Sequence, residues 1–406
     1  DSFSRSGYRR LVTAETLSLT ADRLLGVALP LFVLDRTGSA ALTAAAVLSQ
    51  ALPLALFGAV GGAVVDRTDR RRALVLASAT RCLLALPMLL VVAHVLPVTA
   101  VFVLAAALAS IGQITGPAVG ASLPALVPEA DLPRANAQMA ARNVVVQLAA
   151  PTVGAVLYGW SGLGAVVLAD ALLFAAAAVG FWQMSLNLPV PRRRVGVLRD
   201  TVDGIGRVRR DPVLSLLLVA VALGLVGLSL ELAVLVPFVR EVLDGAPSSV
   251  GLLTSAEAVG GLLAAALFPL LHRRLGLARV LSLLMAGLPA ATLGLLVSGS
   301  VVQAFPGMLL AGLLLTLLTA AVRVHVQVSV ERGYLGRVVG VIASVIGGAA
   351  VVGSLLAVLL TTVLSLRTIL LLAVLIEAAG TAVYLAGQRT PAHRRPPLTT
   401  TLEEQP

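Results

Sequence analysis

Apolar stretches of twenty or more residues alternate along this chain with short polar breaks, and most of the charge sits in the breaks. The run from Val213 to Pro237 contains a single ionisable residue, Glu231. About 20 apolar residues rising ~1.5 Å each cross a hydrocarbon core of ~30 Å. Backbone polar groups cannot go unpaired there, so such runs must be helices. The pattern predicts twelve spans, at residues 11–34, 40–65, 73–96, 98–126, 137–160, 163–188, 212–239, 249–271, 277–298, 301–328, 338–363 and 367–387. The expected fold is an all-α integral membrane protein with an N-terminal six-helix bundle (1–188), a linker (189–211), a C-terminal six-helix bundle (212–387) and a tail (388–406). The tail is rich in Pro, Thr and Arg and is expected to be disordered.

Arginine fixes the expected orientation. Arg5, Arg9, Arg10, Arg67, Arg70, Arg71, Arg72, Arg134 and Arg142 fall on the side of the N-terminus. The linker arginines, Arg273, Arg274, Arg279, Arg332, Arg337, Arg389, Arg394 and Arg395 fall there too. The opposite loops hold only Arg36, Arg240 and Arg367. The positive-inside rule then makes both termini cytoplasmic in a plasma (inner) membrane. The first span carries Glu15, Asp22 and Arg23 and reads as a retained helix rather than a signal peptide.

Composition agrees with this class: 58% of the 406 residues are hydrophobic and 12% charged, against about a quarter charged in soluble domains. The 30 basic residues are all arginine, and the net charge is +10. They are dispersed over short loops without aromatic platforms, which argues against nucleic acid as a partner. The lone cysteine, Cys82, cannot form an internal disulfide. In the linker, Leu198, Val202 and Ile205 recur at helical spacing among arginines. That predicts a short helix on the cytoplasmic membrane surface serving as an inter-half tether.

The halves resemble each other at an offset of about 200 residues. Ala150-Pro151-Thr152-Val153-Gly154-Ala155 aligns with Ala349-Ala350-Val351-Val352-Gly353-Ser354, and Val127–Arg134 matches Val330–Arg337 in Glu, Leu and Arg. Paired six-span units belong to alternating-access transporters, whose substrate site lies between the halves near the bilayer midplane.

Gly62-Ala63-Val64-Val65-Asp66-Arg67-Thr68-Asp69-Arg70-Arg71 resembles the signature loop of the major facilitator superfamily, with Asp69 where Gly is usual. Ala21-Asp22-Arg23, Ala28-Leu29-Pro30, Thr37-Gly38-Ser39, Leu123-Pro124, Ala135-Asn136-Ala137, Asp170-Ala171 and Gly336-Arg337-Val338-Val339-Gly340 resemble, in order, the macrolide-efflux and enterobactin-exporter-like branch. This resemblance implies the major facilitator fold and, by alternating access, efflux of a small amphipathic compound. It also implies a conformational latch of Gly62, Asp66, Arg67, Arg70 and Arg71 against the start of span eleven at Gly336 and Arg337. A carboxylate at a helix N-terminus is favourable; the plainer reading of the arginines is topological anchoring. Pro151 and Gly154 resemble a worn antiporter motif in span five, suited to kinking and close helix packing. Gly58–Gly62 and Gly116–Gly120 are read as packing pairs.

Ionisable residues in hydrocarbon are costly and hence functional candidates. Asp22, mid-span in the first helix, is the first choice for a proton-coupling site, because desolvation disfavours its charged form; the competing reading is a static ion pair with an arginine of another span. Glu231 in span seven is a candidate cation or second proton site, and Glu257 in span eight is the next. Arg23 follows Asp22 but points about 100° away on a helix, so the two need not pair. Arg81 and Arg323 are expected to neutralise carboxylates, and Asp170 and Glu377 to be structural. His94 and His325 have no metal-ligand company. The low aromatic content, 4%, predicts an aliphatic cavity.

The expected function is therefore secondary active, proton-coupled export by a monomer, with the proton gradient as energy source, no cofactor, and membrane lipid as its surroundings. The alternatives are a lipid, siderophore or other metabolite transporter of the same fold, and a non-transporting receptor or scaffold. The absence of His-Glu-x-x-His, Gly-x-Ser-x-Gly and Walker sequences argues against an enzyme or a nucleotide-driven pump.

Overall fold

A computed structural model describes residues 5–65, 68–184, 205–206, 208–330 and 335–388, with side chains except at 5, 58–65 and 335–337. Among the described residues there is no strand. The helices are α1 (Arg5–Thr37), α2 (Ala40–Val65), α3 (Arg70–Ala85), α4 (Met88–Val92), α5 (Ala100–Gly112), α6 (Thr115–Leu126), α7 (Leu132–Trp182), α8 (Pro212–Pro237), α9 (Pro247–Leu275), α10 (Leu277–Leu296), α11 (Val301–Ser329), α12 (Leu335–Leu360) and α13 (Leu366–Gln388).

Three departures from one helix per span have local causes. The third span breaks at Pro87 into α3 and α4, and the fourth breaks at Gln113–Ile114 into α5 and α6. α7 runs for 51 residues, far longer than a bilayer is thick. At Gly162 the backbone swings to φ 71°, ψ −177°, a conformation glycine adopts without a Cβ clash. The helix breaks there, so α7 supplies spans five and six, and among the described residues eleven helices, α7 counted once, are long and apolar enough to cross a membrane.

The connections follow from sequence. Gly38, at φ 61°, ends α1 and donates to the Leu34 carbonyl at 2.7 Å, while Ser39 accepts from Leu42 N–H at 3.2 Å to start α2. Asp69 is the N-cap of α3, with φ −61° and its carboxylate accepting from Arg72 N–H at 2.8 Å. The usual glycine is therefore not required at this turn, and aspartate gains a capping role. Asp211 likewise caps α8 ahead of Pro212.

Large apolar side chains at the periphery, Trp160, Leu172 and Val302 among them, are exposed, as surfaces for lipid must be. The halves touch through α2 against α12 and α7 against α9. One apolar core, running from Leu24–Leu34 through Val166–Ala171 to Leu230–Leu243 and Val250–Ala256, is shared by both halves at the end away from the N-terminus. At the arginine-rich end each half has cores of its own, around Leu11, Leu123 and Phe181 in one and around Leu214, Leu284 and Val326 in the other. The interior between the bundles is thus sealed at one end and divided at the other.

Candidate functional site

A cavity of about 690 Å³ occupies the space between the halves. α1, α2 and α7 wall it on one side, and α8, α9 and α11 on the other. Its polar positions are Asp22, Arg23, Gln50, Gln147, Thr254, Glu257 and Thr316, set among Val, Leu, Ala, Gly and Pro; no aromatic ring lines it. Asp22, Arg23 and Glu257 are therefore brought together here, and the charges of Arg23 and Glu257 attract across the two halves.

Asp22 faces two ways. Its side chain is 39% exposed on the cavity and is ion-paired with Arg81 of α3, which is 2% exposed. Arg81 also donates to Ser18 Oγ at 3.3 Å and lies 4.1 Å over the Phe174 ring. Behind it sits Asp170, fully buried, with neither carboxylate oxygen hydrogen-bonded. A pocket of about 40 Å³ touches Asp22, Arg81 and Asp170 together. Asp170 is thus electrostatically tied to Asp22 through one guanidinium.

Glu231 lies elsewhere. It is 1% exposed, lines no part of the cavity, and accepts from Thr292 Oγ1 at 2.7 Å. Arg323 is exposed. Among the described residues no group of three His, Cys, Asp or Glu is placed to hold a metal ion. His94 contacts Arg36.

At the sealed end the halves are tied by Gly251, where an added Cβ would come within 2.6 Å of Thr152 Cα. Ser255 Oγ bonds Thr152 Oγ1 at 2.6 Å and the Leu148 carbonyl at 2.5 Å. Asp35 accepts from Tyr158 OH at 2.7 Å and pairs with Arg240 at 3.4 Å. Neither Asp35 nor Arg240 stands out in sequence, since each sits at a helix end beside a residue of opposite charge, Arg36 and Glu241. Glu15 and Arg142, paired at 2.7 Å between α1 and α7, were equally illegible because Arg142, at the start of span five, counted only toward the orientation.

The loop motif is seen in part. Asp66 and Arg67, the surroundings of Gly62 and Gly336, and the side chain of Arg337 lie outside the described residues, as do most of the linker helix and the tail. Arg70 donates to the Ala121 carbonyl at 2.8 Å and Arg71 to the Trp182 carbonyl, both within the first half. Pro151 lines the cavity, and Gly154 packs on α1 with Leu24 O only 2.7 Å from where its Cβ would stand. The Gly116–Gly120 packing pair is corrected: a Cβ at either position would meet nothing within 4 Å.

Two pseudo-symmetric helical bundles enclosing a mostly aliphatic, charge-bearing cavity define a polytopic membrane transporter. The sequence pattern of the Major Facilitator Superfamily matches residues 11–245, and the chain belongs to that superfamily. It is 25% identical over 358 residues to macrolide efflux protein A of Streptococcus pyogenes, covering 85% of this chain and 87% of that protein. In fold it is similar to a bacterial homologue of the iron transporter ferroportin in the inward-facing state, with TM-score 0.77 and 18% identity over 96% of this chain and 100% of the other. It is also similar to the nucleoside transporter NupG, with TM-score 0.77 and 12% identity over 94% and 99%.

Proposed function

We propose that this chain exports amphipathic compounds across the plasma membrane, using the proton gradient, by alternating access. The observation that carries the reading is the cavity between the halves, which presents Asp22, Arg23 and Glu257 within an otherwise aliphatic wall. An apolar wall desolvates a greasy molecule, and a few charges orient it. Similarity to a macrolide efflux protein supports export over uptake.

In this reading the arginine-rich end is cytoplasmic, and the sealed end faces outward. Substrate enters from the cytoplasm or the inner leaflet. Asp22 is the coupling residue. Ionised, it neutralises Arg81; protonated, it releases Arg81 to the charge of Asp170 alone. That is a change in interhelical attraction between α1 and α3, on the wall of the cavity, driven by one proton. Rocking then opens the Asp35–Arg240 end and brings the cytoplasmic ends together, where the latch residues Gly62, Asp66, Arg67, Gly336 and Arg337 are expected to meet. The chain works as a monomer in lipid, with no cofactor and no catalytic chemistry.

The test is transport in proteoliposomes with an imposed pH gradient, against a panel of macrolides and cationic dyes. Wild type should concentrate substrate only when the gradient is present, and Asp22→Asn should lose gradient dependence while keeping substrate exchange. Gradient-independent accumulation by wild type, or full coupling in Asp22→Asn, overturns the reading.

A further inference from the structure

In the first half, Asp22 of the first span and Asp170 of the sixth flank Arg81 of the third. The second half repeats the arrangement about 210 residues further along, with Glu231 of the first span and Glu377 of the sixth flanking Thr292 of the third. Two carboxyl groups recur in corresponding spans of both halves; the cation between them does not. Thr292 offers a hydroxyl in its place.

The hydrogen count does not close without an additional proton. Thr292 Oγ1 lies 2.7 Å from Glu231 Oε2 and 3.1 Å from Glu377 Oε1. A threonine hydroxyl carries one hydrogen, so it can donate to only one of the two carboxylates. The second contact becomes a hydrogen bond only if that carboxyl is protonated and donates to Thr292. Glu377 Oε2 is buried without a partner, in a residue 1% exposed. The side chain is seated directly on the α8 backbone, since a Cβ on Gly227 would lie 2.5 Å from Glu377 Cγ.

No described cation compensates. Arg367 of α13 is committed to the carbonyls of Leu296 and Ser298 at 2.7 and 3.0 Å, and Arg240 to Gly245 O and Asp35. Arg279 stands in the first turn of α10, more than two turns before Thr292, and Tyr384 of α13 lies two turns beyond Glu377. From α1, Asp22 and Arg23 face the cavity and Arg81, not this cluster. The charge that does reach Glu231 is a like one, Glu257 on α9. Two ionised carboxylates sharing one hydroxyl in a dry core would repel with nothing to offset the cost of desolvation.

We propose that Glu231, Thr292 and Glu377 form a proton-binding site, with one proton held between the two carboxyl groups where the first half holds a guanidinium. The inference rests on the fold and on hydrogen-bond stoichiometry, not on the export reading, and its test involves no transport.

The test is infrared difference spectroscopy of the full-length protein in lipid at neutral pH. Wild type minus Glu377→Gln should show the C=O stretch of one protonated carboxyl group, and Thr292→Val, which removes the bridge but neither carboxyl, should retain that band at a shifted frequency. If Glu377→Gln does not yield folded protein, Glu231→Gln reads the same band. Identical carboxylic-acid bands in wild type and the glutamine variant overturn the proposal. So does a wild-type Tm that rises with sodium at constant ionic strength and does not in the variant, which would make the occupant a metal cation.

Discussion

Arg240 of the second half reaches Asp35 of the first at 3.4 Å, and Asp35 is held from its own side by Tyr158 at 2.7 Å. This is an ion pair across the bundle interface, at the end where the two halves share one core. Both partners are about a third exposed, so the attraction is well screened, and such pairs contribute about 0.5 kcal/mol. Arg240→Gln should therefore shift the balance away from the state sealed at this end by roughly twofold, without unfolding the protein. Distances between spin labels on α1 and α8 at the sealed end measure the populations; an unchanged distribution would show that the pair does not bias closure.

Gly154 and Gly120 make opposite predictions from the same residue type. A Cβ on Gly154 would stand 2.7 Å from Leu24 O and 2.8 Å from Leu24 Cα, backbone atoms that cannot give way. At Gly120 it would meet nothing within 4 Å. Forced overpacking costs about 1–3 kcal/mol. Gly154→Ala should lower the Tm of the purified protein measurably, while Gly120→Ala should leave it unchanged or raise it through better helix propensity. Equal Tm values for the two variants would refute the α1–α7 contact.

The contrast between these glycines marks where sequence was readable. Apolar length alone placed the expected crossings, and the break between the first two falls at Thr37-Gly38-Ser39, where a left-handed C-cap is followed by an N-cap, a local arrangement. The reversal at Gly162 fell in the gap left between spans five and six for the same reason. Partner choice was not local. Small-xxx-small spacing at Gly116–Gly120 matched a packing motif, yet the face it presents has no neighbour there. Arg142 counted only toward the orientation because its α-carbon lies near a span end, whereas its long side chain reaches Glu15 and the Val12 carbonyl at 3.0 Å. Candidate carboxylates could be named from hydropathy; which cation each one meets is decided by helices far apart in the chain.

Arg81 shows what that meeting implies. It is buried between Asp22 and Asp170, with Phe174 over its face. Removing one partner of a buried ion pair leaves an uncompensated charge and costs roughly 3–5 kcal/mol. Arg81→Met alone should be strongly destabilising, since it strands two carboxylates. Adding Asp22→Asn and Asp170→Asn to it should recover much of the loss, because no charge is then left unpaired. A thermal-unfolding cycle over these variants reads the coupling; strict additivity would mean that the three groups do not act as a unit. The same arrangement means that Asp170→Asn and Asp22→Asn each change the field at the other through Arg81.

Arg23 and Glu257 carry opposite charges from opposite halves into one aliphatic cavity. A substrate with a protonated amine is drawn to Glu257 and repelled by Arg23, and an anionic substrate the reverse. A hydrogen bond to a charged group contributes about 1.5–3 kcal/mol, so losing the favourable contact should weaken binding by roughly tenfold or more. Glu257→Gln should therefore reduce affinity for a cationic amphiphile and spare an anionic one of similar size, while Arg23→Gln should do the opposite. Equilibrium binding of a matched pair of charged dyes to the purified variants separates the two effects. A parallel loss for both dyes in both variants would mean that these residues hold the bundles together across the cavity and do not select what enters it.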